Sequence, residues 1–174
     1  AKALGARPLF SLVAYASVMD NREKTNQVRR IILGIDSTGV DEILFMPDYY
    51  GLGRCALSGL GRESIKARVS TLDMVVTGTQ EDSTVAARLM KVLGVGCIVT
   101  VGGDGTNRVV AKGDCSIPLV AVSTGTNNVF PVMVEATAAG MAAGIVAAGI
   151  IELEGVISTH KRLIVVKNGS EIDM

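Results

Sequence analysis

The run CIVTVGGDGTNRVVAKGDCSIPLVAV, residues 97–122, constrains the fold more than any other part of the chain. Its two ends are short apolar runs rich in Val and Ile, without the polar alternation of a half-exposed strand. Such runs are typical of strands buried on both faces of a parallel sheet. Glycines and a short polar stretch lie between them, and a parallel pair needs a crossover connection, usually a helix. The segment therefore predicts strand Cys97 to Val101, a glycine turn, a short helix around Arg108 to Ala111, and a second buried strand, Pro118 to Val122.

The same alternation continues upstream. Asp20 and Glu23 form a capping-box-like start, and Val28, Ile31, Ile32 and Ile35 mark one face of a helix ending near Gly39. Ile43 to Met46 is a short strand closed by Pro47, after which Asp48 can cap a helix running to about Leu60. Val69 through Thr77 has strand character. Thr79 and Asp82 then open a helix that carries Val85, Leu89 and Val92 and stops at Gly94. Strands alternating with helices predict an α/β fold with a mostly parallel sheet and helices on both faces, here over residues 1–158. The final stretch, RLIVVKNGSEID, reads differently: Asn168-Gly169 between two short apolar runs is a hairpin signal. Residues 159–174 are thus expected to begin an antiparallel β domain largely absent from this chain. A lone hairpin is marginal in water, so a partner sheet, missing from this sequence or supplied by another chain, is expected.

Composition removes several classes of function. The chain has 174 residues, close to one domain, with 17 Lys+Arg against 17 Asp+Glu and only 3% aromatics. No basic field or set of stacking rings suits a nucleic acid polymer, and no charge attracts an anionic membrane. The uncharged run from Ala136 to Ile151 contains Gly140-xxx-Gly144, a packing motif of membrane helices. At about 1.5 Å per residue it reaches roughly 24 Å, short of the roughly 30 Å hydrocarbon core, so a helix buried against the sheet is expected. Near the start, Lys2 and Arg7 precede PLFSLVAYA with an A-x-A at Ala14 to Ala16, but the apolar run is short for an export signal. Cys55, Cys97 and Cys115 form no CxxC pair and read as small hydrophobes in a reducing compartment, which suggests the cytoplasm. With His160 as the only histidine, a multi-histidine metal site is excluded. A Ser-His-Asp triad would have to use it, without a G-x-S-x-G elbow.

Chemistry concentrates on the glycine turn. In an open α/β sheet, ligands bind at the carboxyl ends of the strands. Gly102, Gly103 and Gly105 remove Cβ atoms so that backbone amides and the following helix N-terminus can approach an anion such as phosphate. Asp104 complicates this picture, because a carboxylate inside an anion cradle repels the ligand. Its expected use is either to bind a divalent cation or to take the proton of an attacking hydroxyl. Arg108, one turn on, can pair with a phosphate or form a surface salt bridge, while Asn107 is expected to cap the short helix. A second polar loop, Ser123-Thr124-Gly125-Thr126-Asn127-Asn128, follows the next strand and offers uncharged donors and acceptors. Both loops could be simple tight turns, but at consecutive strand ends they form a crevice.

A competing pattern, Gly51-Leu-Gly53-Arg-Cys-Ala56 with Asp73 about 20 residues on, fits a dinucleotide fingerprint and would indicate an NAD-dependent oxidoreductase. Pro47 to Tyr50, however, separate the strand from the first glycine. There is no G-xxxx-GK[ST] phosphate loop.

VGGDGT at 101–106 resembles the signature of the superfamily of NAD kinases, diacylglycerol-type lipid kinases and phosphofructokinases. With MPDYYGLG at 46–53, GTQEDST at 78–84, VGGDGTNRVVAKG at 101–113 and VSTGTNNVFP at 122–131, the chain from about residue 10 onward resembles the acetoin catabolism protein X branch, which is ATP-NAD kinase-like. The resemblance implies an NAD kinase-like α/β nucleotide-binding domain followed by a β-rich domain, with the active site between them. It implies that Gly102, Gly103, Gly105 and Thr106 contact nucleotide phosphates and that Asp104 is the catalytic or metal-associated carboxylate. Gly125, Thr126, Asn127 and Asn128 join the binding set. The expected activity is phosphorylation of a hydroxyl of NAD or a related small molecule by ATP with Mg²⁺, with a link to acetoin catabolism and self-association of the chain. Two departures support an alternative, a non-catalytic nucleotide-binding or regulatory subunit. Residues 1–10 read AKALGARPLF where the superfamily has an NPxSG loop, and Asn127-Asn128 stands in place of an Asn-Glu or Asn-Asp pair.

Overall fold

A computed structural model describes residues 20–60 and 65–173. The elements are α1 (Asn21–Asp36), β1 (Glu42–Phe45), α2 (Leu52–Ser58), β2 (Arg68–Thr71), α3 (Glu81–Val92), β3 (Ile98–Gly102), α4 (Asp104–Gly113), β4 (Leu119–Ser123), α5 (Ala136–Ala147), β5 (Val165–Lys167) and β6 (Ser170–Asp173). Residues 1–19, which hold the export-like segment, lie outside the described residues.

β1 pairs with β2 and β3 with β4, both in parallel. The β3–β4 ladder is covered on both faces. Ile31 of α1 and Ala136 and Ala139 of α5 pack with Val122, Val99 and Val101 on one side. On the other, Ala87 of α3 and Val110 of α4 pack with Ile98 and Leu119. Period-two alternation sends Ile98 and Thr100 one way and Val99 and Val101 the other, so an unbroken apolar run suits this strand. α1 and α2 cover β1 and β2 through Ile32, Ile43, Ala56 and Ala67. The α/β architecture with helices on both faces is therefore present. Among the described residues the two parallel ladders do not share hydrogen bonds. Between them lies a cavity of about 880 Å³, lined by Ile31, Ile35, Ile43, Phe45, Val99 and Val101 among others.

Local signals place several elements where expected. Asp20 caps α1, its Oδ1 accepting from the Glu23 amide at 2.8 Å, and Gly39 follows the helix in the left-handed region at φ 82°. The α1 and α5 helices meet at their glycines. A Cβ on Gly140 would run into the Ile31 carbonyl, and one on Gly34 into the Thr137 carbonyl. Gly140-xxx-Gly144 is thus a close-packing seam between two helices beside a sheet. No described helix is long and apolar enough to cross a membrane.

Three expectations change. The strand expected over Val69 to Thr77 is only Arg68–Thr71. Its partner runs out: the Leu72 amide makes a last bond to the Phe45 carbonyl at 2.8 Å, and Pro47 has no N–H to offer. The helix expected around Arg108 to Ala111 begins at Asp104, because extended Gly103 takes the cap position directly after β3. On α3 the expected apolar face is mostly outside: Val85 and Val92 are exposed and Leu89 is half-buried, while Asp82, Thr84, Ala86 and Ala87 are buried. Small side chains let α3 approach α4 until a Cβ on Gly113 would strike the Thr84 carbonyl, and Thr84 Oγ1 donates to the Val109 carbonyl at 2.8 Å. Valines on that face would hold the helices apart.

The hairpin β5–β6 is antiparallel, and its turn residues Asn168 and Gly169 have φ 52° and 78°. Both positive angles match the type I′ turn that Asn-Gly favours. The hairpin is tied to α4 through Asp173, which pairs with Arg108 and, at 2.6 Å, with Lys112.

Candidate functional site

The carboxyl end of β3 passes into α4 with Gly103 alone between them, and at two glycines here a Cβ would displace a neighbouring side chain. A Cβ on Gly102 would lie 2.5 Å from Thr106 Oγ1, and one on Gly103 would lie 2.7 Å from Asn128 Oδ1. Asn107, buried, anchors this turn from one helical turn further on. Its Nδ2 donates to the Gly103 carbonyl at 2.9 Å, and its Oδ1 accepts from Thr100 Oγ1 at 2.6 Å. Asn107 is therefore a brace between β3 and the start of α4, not the cap.

The second loop leaves β4 at Ser123 and returns at Val132. The Ser123 amide donates to the Val132 carbonyl at 2.9 Å, and the Val132 amide to the Ala121 carbonyl at 3.2 Å. Asn128 staples the loop shut. Its Nδ2 donates to Ser123 Oγ at 2.7 Å and to the Gly125 carbonyl at 3.3 Å, while its Oδ1 accepts from the Asp104 amide at 3.3 Å. The sequence-derived set 102–106 and 123–128 is thus brought together around one contact, with Asn128 over Gly103.

Asp104 points to this loop. Its Oδ1 accepts from the amides of Val129 at 3.1 Å and Phe130 at 2.8 Å, and its Oδ2 from Val129 at 3.0 Å. A cation or a reacting hydroxyl is one means of balancing this charge. The structure adds another: backbone amides of the neighbouring loop, together with the positive end of α4 on which Asp104 itself sits.

Gly105 differs from its neighbours. A Cβ there would meet nothing within 4 Å, and its φ is not positive. The amides of Gly105 and Thr106 lie in the first helical turn, where an α-helix has no carbonyl of its own to offer them.

A third loop, residues 77–80, borders the site; its residues count in the sequence as a helix start and as part of the GTQEDST segment that carries the family resemblance. Asp82 turns back from α3 to hold it, accepting from Thr77 Oγ1 at 2.6 Å and from the amides of Thr77 at 3.0 Å and Gly78 at 2.8 Å. The Thr77 hydroxyl, its amide and the Gly78 amide hold the Asp82 carboxyl below its ordinary value of 3.8. Gln80 Oε1 then receives a long contact from Arg108 Nη2 at 3.5 Å. Arg108 forms the salt bridge of the two roles considered for it, with Asp173 as partner. The spacing Thr-Gly-Thr-x-x-Asp is the sequence signal that could have indicated this clasp.

Other candidates separate from the site. Gly51 is the left-handed cap of the short α2, and Gly53 lies under the Phe45 ring. Residues 46–50 intervene after β1, so the dinucleotide fingerprint does not form its immediate strand-turn-helix. His160 is exposed and meets the Phe130 ring edge-on at 5.3 Å. Burial pushes the Cys97 thiol up to about 11, which leaves it protonated and unreactive. Among the described residues, no three His, Cys, Asp or Glu side chains gather as a metal cage.

The Gly-Gly-Asp-Gly-Thr turn thus lies between a parallel strand and its helix, braced by a second polar loop. Residues 54–150, more than half of the chain, match the ATP-NAD kinase N-terminal domain, and the chain belongs to that family. It is similar to the acetoin catabolism protein X of Cupriavidus necator, at 37% identity over 175 residues that cover 98% of this chain and 49% of that protein. The chain therefore spans about half the length of the curated relative it matches. No solved structure matches it.

Proposed function

We propose that the chain forms the nucleotide-phosphate side of an ATP-dependent phosphotransferase of the NAD kinase type, which phosphorylates a hydroxyl of NAD or a related small molecule in support of acetoin breakdown. The observation that carries this reading is Gly105. A glycine in a helix is less favourable than alanine by about 1 kcal/mol, yet neither a positive φ nor a close neighbour calls for one here. A ligand that must come against the backbone does. The first-turn amides of Gly105 and Thr106 suit phosphate oxygens, and Thr126 and Asn127 sit on the loop across the crevice.

Asp104 is the carboxylate nearest those amides in sequence, and in this reading it accepts the proton of the acceptor hydroxyl. Magnesium commonly binds through one or two carboxylates plus substrate phosphates and water. That fits a site with Asp104 and no protein cage, so the ion would arrive with ATP and neutralise charge on its phosphates. A second reading, a nucleotide-binding regulatory subunit, is favoured by one observation: both oxygens of Asp104 are already engaged by amides of residues 129 and 130.

Incubating the full-length protein with ATP, Mg²⁺ and NAD and assaying NADP separates the two. The kinase reading expects product, and Asp104→Asn should lower turnover by roughly 10²- to 10⁴-fold while ATP still binds. Turnover unchanged in that variant overturns Asp104 as the base. ATP binding without any product supports the regulatory subunit.

A further inference from the structure

The loop after β1 holds a feature that neither the fold nor the phosphate turn uses. The Gly51 amide donates to the Asp48 carbonyl at 3.0 Å, which closes a four-residue turn with Tyr49 and Tyr50 at its tip. Such positions usually carry Gly, Pro, Asn, Asp or Ser, which favour the turn for local reasons. Here they carry two of the chain's three tyrosines, which are 77% and 73% exposed. Their rings meet edge to face at 5.4 Å and 88°. The turn needs neither ring, and the core covers neither.

The pair is nevertheless held in place. Asp48 secures the base of the turn, accepting from the Leu52 amide at 2.9 Å and the Gly53 amide at 3.2 Å. On the other side the Tyr49 ring lies against Gly78, where a Cβ would come 3.4 Å from Cδ2. Gly78, at φ 75°, belongs to the loop that Asp82 clasps. Two residues on, Gln80 reaches Arg108, one helical turn beyond Asp104. Loop 77–80 therefore touches the aromatic pair at one end and, through Gln80, the Arg108 side chain of α4 at the other, on the carboxyl side of the strands.

We propose that Tyr49 and Tyr50 form a ring-binding wall for the heteroaromatic base of a nucleotide whose phosphates sit at residues 102–106. This rests on the nucleotide reading above and assigns the part of the ligand that the glycine turn cannot recognise. Two flat faces fixed at right angles on a clasped turn offer a stacking surface with little ordering left to do on binding. A base has the π-face to use it, whereas inorganic phosphate does not.

The test compares equilibrium binding of ATP with that of inorganic tripolyphosphate, which carries the same phosphate chain without a base, to the full-length protein. Tyr49→Ala and Tyr50→Ala should each weaken ATP binding by roughly ten- to a hundredfold and leave tripolyphosphate unchanged. Tyr49→Phe and Tyr50→Phe, which keep the rings, should bind ATP like the parent. Equal loss for both ligands, or unchanged ATP affinity in the alanine variants, overturns the wall. So does a change in sedimentation without a change in ATP affinity, which would mean that the rings serve a protein contact. If the parent binds tripolyphosphate and ATP equally well, the phosphate turn stands and the wall falls. If it binds neither, the nucleotide reading itself fails.

Discussion

Asp104 illustrates how a single side chain is balanced. An acid at the start of a helix, with its oxygens on the amides of Val129 and Phe130, needs no ion to be stable, yet its position holds the second loop against the first. Asp82 works in the same way on loop 77–80, and its protonation state has a measurable consequence. Its carboxyl is held below 3.8 in the folded chain, so the unfolded chain takes up the proton first on acidification. The stability Asp82 contributes is complete above the unfolded value and is lost as pH falls through the folded one. Urea midpoints measured between about pH 5 and pH 3 should fall less steeply in Asp82→Asn than in the parent, with the variant already less stable at neutral pH. Asp114 follows the same sign, its carboxyl lowered first by Lys91, 2.8 Å away, and then by Ser116 and Ile117.

At the scale of elements, glycine seams decide how closely helices meet. α1 and α5 touch backbone to backbone at Gly34 and Gly140, and α3 meets α4 at Gly113. Gly140→Ala gains about 1 kcal/mol of helix propensity but forces a methyl into the Ile31 carbonyl at a cost of about 1–3 kcal/mol, for a net loss of up to about 2 kcal/mol in urea unfolding. Gly105→Ala is the contrasting variant, expected to leave stability unchanged or slightly raised because its methyl enters open space. The α1 cap and the hairpin turn were readable because they rest on contacts a few residues apart, whereas the seam was not: the Ala136 to Ile151 run was expected to pack on the sheet, and its glycines meet α1. The α1 cap at Asp20 and the Asn168-Gly169 turn fall where their residues indicate. The inward face of α3 was not readable, because hydrophobicity favours Val85 and Val92 while the neighbouring helix demands small residues. The length of β2 depended on where its partner strand ends, which no local pattern encodes.

For the molecule as a whole, α4 and the hairpin are joined by one ionic cluster, Asp173 with Arg108 and Lys112. All three side chains are partly exposed, so the pairs contribute at most about 1 kcal/mol to stability and act mainly to hold the hairpin in place. Asp173→Asn should leave the unfolding midpoint almost unchanged and speed hydrogen exchange across residues 165–173. Equal protection in the two proteins would show that the hairpin is held by something else.

The chain itself determined the succession of parallel strands and helices, the glycine turn with its acid, and the second polar loop, because periodicity, capping and turn preference act within a few residues. Only the tertiary structure decided what Asp104 and Arg108 are paired with. It also set Tyr49 beside Gly78 and left a cavity between the two ladders. Those outcomes depend on which distant amide, carboxylate or backbone arrives alongside, and that is a property of packing rather than of neighbouring letters.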